Sequence, residues 1–271
     1  MTTLHLTQGV LRQIEEFNSN FNEARFGVLA NVPGNPLNVE LRRFGNALAV
    51  KNRSPLLRGK QRVTGFRSED TSFLAELLDW YRGDALCCAI QVGFGEESAP
   101  LFHRMIAAGL MSSGSGAVPV LRAGPEPFAA PAGLTIRDSP PTEREKYLDL
   151  FQRCFAGRSE QKPDYRAMQW AEDSAPGARR FVAELEGEPV GMAALFCGGA
   201  VACCTTAGTL AELRGRGIQQ ALLRHRIAEA RRAGCSVILG GAAIGSTPYR
   251  NFERAGFRAT PLGMSWTDPP R

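Results

Sequence analysis

Residues 213–223 read Leu-Arg-Gly-Arg-Gly-Ile-Gln-Gln-Ala-Leu-Leu and hold the most informative chemistry in the chain. A strand-like run, Val201 to Leu210, leads into this turn, and a helical pattern leaves it. Glycines at 215 and 217 let the backbone pass close to a ligand and adopt dihedrals that other residues avoid. The first N–H groups of a helix have no partner inside it. The helix dipole adds roughly half a positive charge at the same end. Arg214 and Arg216 reinforce it. Together these features make an anion site suited to a diphosphate.

Two familiar diphosphate loops do not fit. The nucleotide pattern Gly-x-x-x-x-Gly-Lys-Ser/Thr is absent. The dinucleotide pattern starts at Gly215 and Gly217 but meets Gln220 where its third glycine belongs. No acidic residue closes the next run, Ser236 to Gly240.

The surrounding pattern supplies the scaffold. Before the turn, Phe181–Leu185, Val190–Phe196 and Val201–Leu210 are separated by turns at Gly187-Glu188-Pro189 and Gly198-Gly199, an antiparallel meander. After it, Ile218, Leu222, Leu223, Ile227 and Ala230 mark a helix over about 217–233, with Arg224, Arg231 and Arg232 on its other side and Gly234 as its stop. A short strand at Val237–Leu239 and a helix at about Thr247–Arg254 follow, ending at Gly256-Phe257. Upstream, Leu134–Asp138 reads as a strand. Thr142 to Glu145 has the spacing of a capping box, and Tyr147, Leu150, Phe151, Cys154 and Phe155 form a helical stripe.

The first half shows its own order of elements. A helix is expected over 7–21, strands over Asn38–Arg43 and Ala47–Lys51 around Gly45-Asn46, and a helix marked by Leu74, Leu77, Leu78 and Tyr81. A strand over Ala85–Val92, a helix ending at Gly109 and a short strand over Val118–Arg122 complete it. Between the halves, Ala123 to Gly133 is rich in Pro, Ala and Gly. The expected organisation is a domain at 1–124, a linker at 125–133 and a second domain at 134–271.

From strand through meander, Arg/Gly loop, helix, strand and helix, residues 134–271 resemble the GNAT superfamily of N-acetyltransferases. The family motif, Gln/Arg-x-x-Gly-x-Gly/Ala, is matched by Arg214 and Gly217, with Gln219 departing at its last position. Asn251-Phe252-Glu253-Arg254-Ala255-Gly256-Phe257 adds to the likeness. The first half echoes the same order without the loop and looks like a degenerate GNAT-like half of a tandem protein. The resemblance implies an α/β fold (α+β) of two domains, each a mixed, mostly antiparallel sheet flanked by helices. It also implies acetyl-CoA as cosubstrate. The diphosphate would meet Gly215, Arg216, Gly217, Ile218, Gln219 and Gln220 beside Arg214. The pantetheine arm would lie along Ala207, Gly208 and Thr209, and Ser246 and Asn251 would face the far end. Gly208 within a strand also signals a bulge or a close backbone approach.

Acetyl transfer needs a polarised carbonyl, a proton acceptor and a proton for the leaving thiolate. Many relatives place a glutamate on the strand before the motif. Here that strand has no acid, and Glu184 on an earlier strand is the nearest candidate, with Glu172 and Asp173 behind it. Where many relatives carry a tyrosine, this chain has Phe252, so Tyr249 stands as the substitute acid. The implied activity moves an acetyl group to an amine on a small molecule, or second to a protein amine. The absent strand acid and Phe252 keep open a non-catalytic acyl-CoA-binding protein, and other acyl-CoA chemistry such as decarboxylation.

Of 271 residues, 44% are hydrophobic and 22% charged, enough for a sizeable core. A net charge of +5 suits an anionic ligand, and no aromatic interleaving supports a nucleic-acid partner. No apolar run approaches the ~18 residues of a membrane span, and no signal-peptide pattern opens the chain. Seven cysteines without a C-x-x-C pair, and three histidines, argue for reduced thiols, a cytoplasmic setting and no metal site. Homodimer formation is left open.

Overall fold

The computed structural model describes residues 4–54, 61–95, 98–122, 128–155 and 163–269. Thr7 starts the first helix by accepting from Val10 N through its hydroxyl (3.3 Å). In chain order the elements are α1 (Gln8–Ala30), β1 (Glu40–Phe44), β2 (Ala47–Lys51), β3 (Arg62–Thr64), α2 (Leu74–Arg82), β4 (Ala89–Gly93), α3 (Ser98–Ala107) and β5 (Met111–Leu121). There follow β6 (Leu134–Asp138), α4 (Arg144–Cys154), α5 (Pro163–Ser174), β7 (Ala178–Leu185), β8 (Glu188–Gly198), β9 (Val201–Thr209), α6 (Ile218–Arg232), β10 (Val237–Gly240), α7 (Thr247–Arg254) and β11 (Phe257–Thr267).

These elements form two compact units. One comprises residues 6–117 and 261–271, the other residues 118–260 with the first five. The C-terminal end of β11 thus belongs to the unit built from the first half of the chain. In that unit the strands run β1-β2-β3-β4-β11. All neighbours are antiparallel except β3–β4, which are parallel. The other unit runs β6-β7-β8-β9-β10-β5, again antiparallel except for the pair β9–β10. A parallel pair needs a crossover, and a helix supplies it in each unit: α2 between β3 and β4, α6 between β9 and β10. The repeated pattern is the two-domain α/β arrangement that the sequence suggested.

In the first unit Phe44, Val63, Leu77, Ile90, Met105 and Trp266 share one core. Tyr81 is buried there and donates its hydroxyl to Val50 O (2.8 Å). In the second unit the inner face of α6 (Ile218, Leu222, Leu223, Ile227, Ala230) packs on Phe181, Ala193, Leu195 and Ile238. The opposite sheet face takes α4, through Tyr147, Leu150 and Phe151 against Val182 and Met192. Burial of each such side chain is worth about 1.5–3 kcal/mol, so the sheet is clamped from both sides.

Several elements differ from the sequence expectation. Helix α1 runs on to Ala30 because Phe26 and Leu29 continue its buried stripe. The strand expected from Ala85 starts at Ala89, since Ala85 adopts a left-handed φ of 56° and Leu86 N donates back to Tyr81 O (3.1 Å), closing α2. The capping box at Thr142–Glu145 does not form. Residues Pro141–Glu143 make a 3-10 turn and α4 begins at Arg144 without a side-chain cap. The acids are drawn elsewhere: Glu143 to Arg137 (2.7 Å) and Glu145 to Arg166 (2.7 Å). Helix α5 and the long strand β11 were not anticipated. Residues 125–127 of the expected linker, and 123–124 before it, lie outside the described residues.

No described helix is long and apolar enough to cross a membrane. Among the described residues no group of His, Cys, Asp or Glu could hold a metal ion. All seven cysteines are free thiols.

Candidate functional site

Strand β9 decides the geometry. On one side it pairs with β8 along its length, from Gly198↔Val201 to Gly191↔Thr209. On the other it pairs with β10 only as far as Cys204↔Gly240. From Thr205 to Thr209 the strand continues without β10, so a stretch of its edge is left unpaired by any strand among the described residues. Such an edge offers backbone N–H and C=O groups to an extended ligand.

A bulge accompanies the divergence. Leu195 pairs with Cys204 and Ala193 with Ala207, so β9 carries an extra residue at Thr205–Thr206. This corrects the bulge inferred at Gly208, which pairs in register with Met192. Gly208 serves close approach instead: a Cβ there would lie 2.6 Å from Cys154 Cβ and 3.0 Å from the Phe155 ring. The buried Arg226 of α6 donates to Ala194 O (3.2 Å) and Thr205 O (3.3 Å), the carbonyls beside the bulge. Sequence periodicity gave Arg226 no role. An arginine inside an apolar helical stripe was its one available signal.

The Arg/Gly turn follows directly. Gly215 (φ 80°) and Gly217 (φ 83°) take left-handed conformations, and Gly217 is the N-cap of α6 with no side-chain cap. No acid sits in the first turn of α6. The N–H groups of Ile218, Gln219 and Gln220 are therefore left without helical or side-chain acceptors from the cap. Space around Gly215 is open; a Cβ there would meet nothing within 4 Å. Arg216 is exposed and makes no hydrogen bond or ion pair among the described residues. Arg214, though also exposed, is tied down. It donates through Nη2 to Cys154 O (2.9 Å) and through Nε to Thr209 O (3.3 Å), tying the turn to the end of α4 and the tip of β9. Replacing Arg214 by alanine removes both ties. We expect it to lower unfolding stability by about 1–2 kcal/mol, read from the urea midpoint at constant m-value.

Gln219 does more than its position at a helix start requires. With its amide oxygen turned toward β9 it accepts from Thr209 N (3.2 Å), Gly208 N (3.3 Å) and Thr209 Oγ1 (3.1 Å). Its side chain thus covers part of the unpaired edge. Gln220 is buried and donates to Asn251 O (2.8 Å), joining α6 to α7. Asn251 Oδ1 also accepts from Arg254 (3.3 Å). Ser246 is the N-cap of α7, accepting from Tyr249 N (3.2 Å). Near Gly217 lie Phe128 and Pro131: a Cβ on Gly217 would stand 3.2 Å from the Phe128 ring. That ring also stacks under the Arg224 guanidinium, 5.1 Å from its centroid.

The family model for acetyltransferase (GNAT) matches residues 144–257. Those residues belong to the GNAT family. The matched stretch begins with α4 and ends as β11 starts, so it includes β9, the Arg/Gly turn and α6. No curated protein matches the chain. Solved structures do. A GCN5-related N-acetyltransferase from Kribbella flavida is 14% identical, covers 93% of this chain and 96% of its own, and has a TM-score of 0.57. A tandem GNAT protein from the clavulanic acid biosynthesis pathway is 16% identical, covers 100% and 98%, and has a TM-score of 0.55. FemX is 11% identical, covers 98% and 97%, with a TM-score of 0.57. At these identities the likeness is one of fold, and it extends over both units.

Within the GNAT domain the two acid–base candidates are each engaged by residues outside the turn. Glu184 sits on β7 opposite Thr135 of β6 and Pro189 of β8. Its carboxylate is bound by Arg137 Nε (2.7 Å), whose Nη1 holds Glu143. Tyr249 is buried in the first turn of α7, and its hydroxyl accepts from Ala259 N (3.1 Å) on β11. Phe252 is the residue that reaches the end of β10: its ring lies over Gly240, where a Cβ would overlap it, and packs edge-on against Phe257 (4.9 Å). The sequence ranked Asp173 behind Glu184, and the structure gives it a distinctive setting. It is 3% exposed, and Gln169 donates to its Oδ1 (2.9 Å). Its Oδ2 and the hydroxyl of buried Tyr147 have no hydrogen-bond partner among the described residues. Burial pushes the Asp173 carboxyl up to about 8, with Gln169 and Arg180 opposing and Glu172 adding to the rise.

Proposed function

We propose that the GNAT domain transfers an acetyl group from acetyl-CoA to an amine, with a small-molecule amine as the acceptor. The observation that carries this reading is the edge of β9 freed after Cys204, which ends at an uncapped helix start. An acyl-CoA has both complements: an extended arm with two amides, and a diphosphate at its far end. The arm pairs with the edge at Ala207, Gly208 and Thr209. The diphosphate meets the N–H groups of Gly215 to Gln220, with Arg216 free to join it. Arg214 acts through its backbone and by fixing the turn. Ser246 and Asn251 act by building α7 beside Gln220.

When bound, acetyl-CoA supplies an activated acyl group whose carbonyl is polarised by a strand N–H, in the manner of an oxyanion hole. The chain's own residues then orient the thioester and keep its arm extended. Glu184 is committed to Arg137 and must leave that partner to take a proton, whereas Tyr249 accepts from Ala259 N and keeps its own O–H free to donate. That commitment favours a second reading, an acyl-CoA-binding protein without turnover. Calorimetry with acetyl-CoA, followed by thiol release measured across a panel of small amines and peptide N-termini, separates the two. Binding with thiol release supports transfer. Binding with no release from any amine supports the second reading, and absence of binding removes both.

Gln219 makes a prediction of its own. Its amide holds the N–H groups of Gly208 and Thr209 that an acyl-CoA arm must use. Replacing it by alanine frees them. Because a neutral hydrogen bond nets about 0.5–1.5 kcal/mol, Gln219→Ala should bind acetyl-CoA roughly 3- to 10-fold more tightly. Unchanged or weaker binding in calorimetry would show that the arm does not use this edge.

A further inference from the structure

The first unit has a cavity of about 290 Å³ between the N-terminal half of α1, the segment after β3, and the end of β4 with the start of α3. By topology it lies where the parallel pair β3–β4 parts, the counterpart of the opening after β9–β10. Helix α1 lies over it and lends it Gln8, Arg12 and Glu15 from one face, at helical spacing.

Two of these side chains, exposed Arg12 and half-buried Glu15, are held by charge alone, without a direct bond. Among the described residues neither Arg12 nor Glu15 makes a hydrogen bond or an ion pair, although they stand one turn apart and could pair with each other. The nearby Arg67 is engaged by Glu16 (3.2 Å). Glu15 is instead laid against the backbone of β4: a Cβ on Gly93 would overlap its carboxylate. Gln8 does the same at Gly95, where a Cβ would come within 2.9 Å of its Oε1. The glycines at 93 and 95 therefore allow polar side chains to reach the floor of the cavity. Burial pushes the Glu15 carboxyl above its ordinary range, against the pull of Arg67 and Arg12. A half-buried carboxylate with no donor is costly, and a ligand cation would remove that cost.

We propose that this cavity binds a free α-amino acid, its ammonium on Glu15 and its carboxylate on Arg12. An α-amino acid carries opposite charges on adjacent groups, as the cavity wall does on adjacent turns. A polyanion such as a nucleotide is disfavoured, because Glu15 and Glu69 both line the space. The site is independent of acetyl-CoA binding by the other unit.

The test uses the full chain and each of the twenty proteinogenic L-amino acids, screened by ligand-observed NMR and then titrated by calorimetry. At least one should bind with a Kd below roughly 1 mM. Glu15→Gln and Arg12→Gln should each weaken it about 10-fold or more, with acetyl-CoA binding unchanged in both. The N-acetyl and carboxamide derivatives of the same amino acid should lose binding comparably. No binding by any amino acid at about 10 mM, a concentration that would reveal even millimolar affinity, overturns the proposal. So does binding that both variants retain, or binding that survives removal of either ligand charge.

Discussion

Gly217→Glu is expected to abolish acetyl-CoA binding, with a loss of at least about 100-fold, or ~2.7 kcal/mol. Two effects act together. The added carboxylate stands at the N-terminus of α6, where no other acid sits and where the diphosphate would lie. The backbone there has φ 83°, which costs a side-chain-bearing residue about 1 kcal/mol or more, and the new Cβ would press on the Phe128 ring at 3.2 Å. The second effect could unsettle the loop by itself. Gly217→Asn separates them, because asparagine tolerates left-handed backbone and brings no charge. Calorimetry should show a modest loss for asparagine and a complete one for glutamate, with both variants folded by circular dichroism. Equal affinity of Gly217→Glu and the unsubstituted protein would remove the turn from the binding site.

The second large effect concerns pH and Asp173. A carboxyl held at about 8 in the folded chain, against 3.8 as its ordinary value, binds its proton more tightly when folded. The folded state therefore carries more protons than the unfolded state between those values. Its contribution to stability is full below about pH 4 and is lost as pH rises through about 8. At 1.36 kcal/mol per pKa unit, the loss across that window is of the order of 5 kcal/mol. Asp173→Asn keeps an oxygen acceptor for Gln169 and cannot ionise. Urea unfolding of both proteins at pH 5, 7 and 8.5 should show a gap in favour of the asparagine variant that widens with pH. A constant gap would mean that Asp173 is ionised throughout or is reached by water. Ion pairs elsewhere, such as Glu145 with Arg166, lose strength on the acid side, and the difference between the two proteins cancels them.

The order of elements in the second half was legible because each rests on local rules. Period-two runs broken by Gly187 and Gly199 make β7, β8 and β9; a 3.6-residue stripe makes α6; Gly215 and Gly217 allow the left-handed turn. The family likeness could be read from the same residues. The weaker periodicity of α5, and β11 beyond Gly256-Phe257, escaped because tertiary burial stabilises them more than their own pattern does. The failed capping box has the same origin. Thr142–Glu145 had the right spacing, but Arg137 and Arg166, distant or on other elements, offered the acids full charges in place of backbone N–H groups.

What the sequence determined by itself was the helix start, the flexible backbone before it and the alternation that builds the sheet. Only the tertiary structure decided which of the chemical groups are free. Pairing with β10 stops at Cys204, which leaves the end of β9 without a strand on that side; Gln219 then folds its amide onto that edge. Arg214 is tied to Cys154 O while Arg216 makes no hydrogen bond or ion pair among the described residues. Glu184 is captured by Arg137, and Asp173, in the last turn of α5, is buried with no ion pair among the described residues. Each outcome depends on a neighbour many residues away, and hydrogen bonds and ion pairs depend on distances of a few ångströms that spacing along one chain does not specify.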